Sequence, residues 1–281
     1  MDATIKALFI DLDGTLLTSQ QEISEHSFDT LARCKARGIK IFLATGRSPR
    51  SVNGLAQGEK LLSLIDGGVY CNGGVLKWEK QEVITYMPAD IAQESAKIVS
   101  KYKDINIAVH LTEPEKWAFR ILLTDHAFKQ WGTPREEALV LDTLDKNLQS
   151  IKVMVFHGNA IITDLNQRPK LNNKLVVELE QACQGKAQVY LCDNGTIITI
   201  TAHGLTKNSG IESIRGALGI EKNELAVFGD DSNDVAIMTD YAHSFAMGNA
   251  TCECRNAAKH VTLDNDNDGV AHAITTMLGL V

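Results

Sequence analysis

Ile5-Lys6-Ala7-Leu8-Phe9-Ile10-Asp11-Leu12-Asp13-Gly14-Thr15 is the stretch that decides how this chain is read. Ile5 to Ile10 is short and almost continuously apolar, the pattern of a parallel strand covered on both faces. Two aspartates one residue apart follow directly. In a doubly wound sheet the carboxyl ends of the strands line the ligand crevice, so a site is expected here. Like charges this close resist joint ionisation unless a cation or a proton intervenes. Such a pair suits attack by one carboxylate with proton transfer by the other. Alone, it could also close the strand as an Asx-type turn.

Working outward, strand and helix signals alternate. Ser24 can cap a helix, with Ile23 and Phe28 placed as a hydrophobic staple and Gly38 as its left-handed close. Ile39 to Ala44 reads as a second strand ending in Thr45-Gly46-Arg47, whose hydroxyl and amides suit a phosphoryl oxygen. Val69 to Cys71 is a third apolar stretch, running into Asn72-Gly73-Gly74. From about Gln81 the texture changes. Strand-like runs at Ile105 to Leu111, Ala118 to Leu123, Ile151 to Phe156 and Gln188 to Leu191 mix with helical patterns near Ile91 to Lys103 and Lys174 to Ala182, which suggests an α+β module. After Asn194 the first texture returns, with a strand at Ile197 to Thr201, a helix opened by Lys207, a strand at Leu225 to Phe228 and a helix from Asp234. The expected fold is α/β: a Rossmann-like doubly wound parallel-sheet core over residues 1–83 and 194–281, with an inserted α+β cap domain over 84–193.

A second acidic cluster, Gly229-Asp230-Asp231-Ser232-Asn233-Asp234, also sits at a strand end. Crowded carboxylates are costly without a cation, and short oxygen-only side chains suit Mg²⁺. Lys207 opens its helix against the macrodipole, which leaves another duty for its charge. Asp264-Asn265-Asp266-Asn267-Asp268-Gly269 imitates the start of an EF-hand loop, but Thr275 stands where a bidentate Glu belongs.

The 281 residues suit two domains of roughly 150 each. A net charge of -7 argues against nucleic acid as a partner. No run of about 18 apolar residues reads as a membrane span, and the N-terminus lacks a signal pattern. The six scattered cysteines suit a reducing compartment, so the expected location is cytoplasmic. A monomer is the default.

Together these elements resemble the haloacid dehalogenase superfamily of phosphotransferases. Asp11-Leu12-Asp13-Gly14-Thr15, Thr45, Lys207 and Asp230 through Asp234 look like its four motifs, in order. Asn72-Gly73-Gly74, Ala246-Met247-Gly248-Asn249-Ala250 and Asp268-Gly269-Val270 match its Cof-type branch, which carries a large α/β cap. The resemblance implies a Mg²⁺-dependent phosphatase whose partner is a small phosphorylated metabolite, a sugar phosphate foremost. Asp11 would be the nucleophile and Asp13 the general acid/base. The metal would be held by Asp11, Asp230 and the main-chain carbonyl of Asp13, with Asp234 on a metal-bound water. Leu12, Thr45, Gly46, Lys207 and Asn233 would bind the phosphoryl group. Arg47, Asn72 and Arg120 are candidates for substrate specificity. A phosphohexomutase of the same superfamily and a noncatalytic phosphate-binding regulator are the rival expectations.

Overall fold

A computed structural model describes residues 4–111, 116–125, 128, 134–141, 149–158 and 169–281. The chain divides into two compact units, residues 1–83 with 206–281, and residues 84–205.

In the first segment β1 (Ala7–Ile10), β2 (Lys40–Ala44), β3 (Gly67–Tyr70), β4 (Val75–Trp78) and β5 (Gln81–Ile84) follow one another. The insertion supplies β6 (Ile105–Leu111), β7 (Trp117–Phe119), β8 (Leu139–Val140), β9 (Ser150–His157), β10 (Ala187–Cys192) and β11 (Ile197–Ala202). The last segment adds β12 (Leu225–Gly229), β13 (His243–Ala246) and β14 (His260–Val261). The core sheet runs β14-β13-β12-β1-β2-β3-β4-β5, parallel from β14 to β3, with β3 and β4 antiparallel. All four residues of β1 are buried, as expected of a central parallel strand. The strand order reverses at β1, which lies between β12 and β2, so the loops after these three strands emerge at one switch point.

The helix at Glu25–Ala36 starts where its capping signal places it, with the Ser24 side chain accepting from the Ser27 amide. Lys207–Leu218 is capped by Thr206 in a reciprocal box with Ser209, and ends at Gly219 in the left-handed conformation.

The inserted unit is built on a second sheet, β10-β11-β9-β6-β7-β8. On one face Ile107, Val109, Val153, Val155, Ile198 and Ile200 pack with helices Ala89–Ser100 and Asn173–Cys183. On the other, Phe119, Phe128, Phe156 and Trp117 form a smaller cluster. One boundary needs correction. Ile197 to Thr201 was expected in the core, beginning at 194. Its strand instead pairs antiparallel with β9 and β10, and the division falls between Leu205 and Thr206. A six-residue strand carries no mark of which sheet it joins; that is settled by its partners, β10 just before it and β9 some 40 to 50 residues earlier.

Among the described residues no helix is long and apolar enough to cross a membrane. None of the six cysteines forms a disulfide.

Candidate active site

Asp11 leaves the end of β1 with its amide bonded to the Phe228 carbonyl of the neighbouring strand (3.1 Å), which fixes where its side chain begins. The turn that follows depends on Gly14, whose φ of +73° is a left-handed conformation. A Cβ on Gly14 would meet Asp230 Oδ2 at 2.3 Å, so the absence of a side chain lets the second acidic loop come close. Thr15, buried, donates its hydroxyl to Asp230 Oδ1 (2.7 Å), and Asn249 donates to the Gly14 carbonyl (2.8 Å). Both supports are local consequences of the fold. Gly14→Ala is expected to cost about 1–3 kcal/mol of stability, through backbone strain and displacement of Asp230. A denaturant titration checks it; an unchanged midpoint would mean that the close approach matters little.

Lys207, fully buried, places Nζ 3.0 Å from Asp11 Oδ2 and 2.8 Å from Asp234 Oδ1. The other oxygen of Asp234 accepts from the amides of Asp230 (3.2 Å) and Asp231 (3.3 Å). The second acidic loop is therefore folded around Asp234, which in turn aims the lysine at Asp11. Carboxylate oxygens of Asp11, Asp230 and Asp234 lie within 4.8 Å of one another. Burial, with repulsion from Asp234, pushes the Asp230 carboxyl up to about 8 despite the Thr15 hydrogen bond and Lys207. Asp11 is also raised well above the carboxylate range, by burial and by its acidic neighbours, against the opposing pull of Lys207. One lysine does not neutralise three carboxylates, of which Asp11 and Asp234 are buried and Asp230 half-buried. An all-oxygen donor set with surplus negative charge fits a small hard cation such as Mg²⁺.

Asp13 is in a different position. Burial would raise its carboxyl, but a two-pronged bond from Arg47 outweighs it and holds the group below its ordinary value. Arg47 Nε lies 2.8 Å from Asp13 Oδ2 and Nη2 2.6 Å from Oδ1. Arg47 also donates to Gln21 Oε1, on a turn where Gln21 has a φ of +61°. Arg47, expected to select substrate, is thus joined to the second aspartate.

Thr45 is buried at the end of β2, its hydroxyl accepting from the Arg47 amide (3.1 Å) and its carbonyl from the Asn72 amide (3.1 Å). Gly46 follows it, and Leu12 is buried beside Asp11. Asn233 donates Nδ2 to Asn72 Oδ1 (3.2 Å), so Asn72 joins the loop after β2 to the loop after β12. Asp11, Asp13, Thr45, Lys207, Asp230, Asn233 and Asp234 thus belong to one set of linked loops in the core unit. Arg120 belongs to the inserted unit, where it donates to the Val99 carbonyl (2.8 Å). Thr15, Gln21 and Asn249 received no role from the sequence. Only the motifs containing Thr15 and Asn249 drew attention to them.

The segment that imitates an EF-hand uses its acids on protein partners. Asp266 accepts from the Ser19 amide (2.7 Å), and Asp268 accepts from the hydroxyls of Ser24 and Ser27. Asn265 donates to the Leu17 carbonyl (2.8 Å). The loop therefore fastens the chain that leaves the Asp11 turn.

A sequence profile described as haloacid dehalogenase-like hydrolase matches residues 8–274. A phosphatase-named protein of Streptococcus pyogenes serotype M6 is 25% identical over 288 residues, covering 96% of this chain and 97% of its own. The 5-amino-6-(5-phospho-D-ribitylamino)uracil phosphatase YcsE of Bacillus subtilis is 24% identical, covering 97% and 96%. Among solved structures, a subclass IIB sugar phosphatase of the haloacid dehalogenase superfamily superposes with a TM-score of 0.79 at 24% identity, over 98% of this chain and 100% of that one. A Cof-like hydrolase of Plasmodium vivax gives 0.82 at 21% identity, over 99% and 97%.

Proposed function

This chain belongs to the haloacid dehalogenase-like hydrolases, in the Cof-type branch, and is a phosphatase; from that premise we propose that it is Mg²⁺-dependent and hydrolyses small organic phosphate monoesters, sugar phosphates foremost. The observation that carries the reading is the ion pair of a fully buried Lys207 with Asp11, beside Asp230 and Asp234. A binding protein needs the cation for its anion, but has no use for a carboxylate held against it. The names of two relatives, a sugar phosphatase and a phosphoribitylaminouracil phosphatase, point toward the same substrate class.

In the proposed reaction Asp11 attacks phosphorus in line. The bond from phosphorus to the leaving oxygen breaks as Asp13 gives that oxygen a proton, leaving an aspartyl phosphate and an alcohol. Asp13 then takes a proton from a water that attacks the same phosphorus, which frees phosphate and restores Asp11. Arg47 holds Asp13 as the carboxylate, the form required by this second step; in the first step Asp13 must carry a proton, so the Arg47 bond has to be released when the ester is bound. Lys207, Thr45, Asn233 and the amides of Leu12 and Gly46 stabilise the charge on the phosphoryl oxygens. Asp11 and Asp230, with the Asp13 carbonyl, would hold the magnesium, and Asp234 keeps Lys207 and the loop in place. When bound, the metal supplies positive charge against the carboxylates and the transferring group. We assign the choice of leaving group to the inserted unit, and place the enzyme in the cytoplasm.

Purified protein with Mg²⁺ is expected to release phosphate from a generic aryl phosphate, and fastest from members of a panel of sugar phosphates. Phosphate release from no sugar, nucleotide or cofactor ester would overturn the reading. Sustained exchange of phosphate between sugar positions would assign a mutase instead.

A further inference from the structure

Asn72 is only 2% exposed, and its backbone is left-handed at φ 53° and ψ 38°. A non-glycine residue held there costs of order 1 kcal/mol, so the surrounding contacts must fix it. Its amide is bonded to the Thr45 carbonyl, and its Oδ1 lies where a Cβ on Gly46 would come within 3.4 Å. The same side chain meets Asn233 across 3.2 Å. Asn233 Oδ1, the other end of that amide, is buried with no hydrogen-bond partner. A buried acceptor left unpaired costs about 1–3 kcal/mol.

An amide has nearly the same shape in both orientations. If both amides are turned over, Asn72 Nδ2 donates to Asn233 Oδ1 across the same separation. The unpaired position then becomes an N–H. It lies in a loop whose neighbouring side chains, Asp230 and Asp234, are acceptors, so an N–H there is what an oxyanion requires and a carbonyl would repel it. On the reading that this site takes a phosphate monoester, we propose that Asn72 is a positioning residue: it donates to Asn233 Oδ1 and so turns the Asn233 amide N–H toward the phosphoryl oxygens.

Two substitutions separate this role from a structural one. Asn72→Gly keeps the left-handed backbone without strain and deletes the amide. Asn72→Asp can accept a hydrogen bond but, ionised, cannot donate one. Affinity for orthovanadate with Mg²⁺ is measured by calorimetry for these variants, for Asn233→Ala and for Asn72→Gly combined with Asn233→Ala, alongside thermal melts. Asn72→Gly is expected to melt close to the unaltered protein and to weaken vanadate about tenfold. Asn72→Asp should lose at least as much. Once Asn233 is alanine, Asn72→Gly should cost less than about twofold, because the two groups act as one. Full affinity in Asn72→Asp, or a tenfold loss that persists beside Asn233→Ala, would overturn the proposal. Absence of vanadate binding to the unaltered protein would overturn the phosphatase reading along with it.

Discussion

Asp11→Asn is expected to lower phosphate release by about 10⁴-fold or more while leaving the metal-free protein as stable as before, or more so. The loss follows from removal of the nucleophile, since an amide oxygen is a poor attacking group and the other active-site residues act as a unit with it. The stability arises from electrostatics. Burial and three neighbouring acids raise the Asp11 carboxyl well above its ordinary range, against the pull of Lys207. Its charged form is therefore penalised in the folded chain, and asparagine has nearly the same shape without the charge. Lys207 keeps its bond to Asp234 at 2.8 Å. Side-by-side thermal melts and turnover assays check both halves. An inactive protein that is also unfolded would leave Asp11 with only a structural role.

Lys207→Met has the largest expected effect on stability. The lysine side chain is fully buried between two carboxylates, and removing one partner of a buried ion pair costs about 3–5 kcal/mol because the other charges stay behind. The cost depends on pH in a direction that can be worked out. Asp11 and Asp230 carry raised values in the fold, Asp230 at about 8, so between pH ~4 and ~8 the folded chain binds more protons than the unfolded one. Stability of the metal-free protein then falls as pH rises through that window. Lys207 opposes this by lowering both carboxyls, and the fall should be steeper in Lys207→Met, with the protein least affected below pH 5. Asp13 runs the other way: its value is lowered by Arg47, so its contribution is present above its ordinary value and lost as pH falls below it. Denaturant midpoints from pH 4.5 to 8.5 measure the slope. A variant equally destabilised at both ends would show that the buried charges are not the cause.

Much of this site was legible because chemistry and periodicity coincide at the strand ends. Parallel strands bury both faces, so Ala7–Ile10 and Leu225–Gly229 stand out as apolar runs, and the acids that follow them stand out against those runs. Capping chemistry placed the helix after Ser24 for a similarly local reason, whereas the Thr206 cap of the helix opened by Lys207 is seen only in the structure. What the sequence does not carry is partner choice over distance. Ile197 to Thr201 looks like any strand, and only β9 and β10 settle its sheet. Arg47 could have reached outward to a ligand, whereas the structure folds it onto Asp13, 34 residues earlier, with Gln21 as a further acceptor. The alternating acids of Asp264 to Asp268 imitate a calcium loop because short polar side chains serve both purposes. Their hydrogen bonds to Ser19, Ser24 and Ser27 are set by packing that no local pattern predicts.

Passage of the phosphoryl group through Asp11 can be trapped by acid quenching during turnover of a ³²P-labelled phosphate ester, followed by peptide mapping. The expected result is label on the peptide containing Asp11, discharged by hydroxylamine as an acyl phosphate should be, and absent from Asp11→Asn. Label on another residue, or turnover that persists in Asp11→Asn, would contradict it.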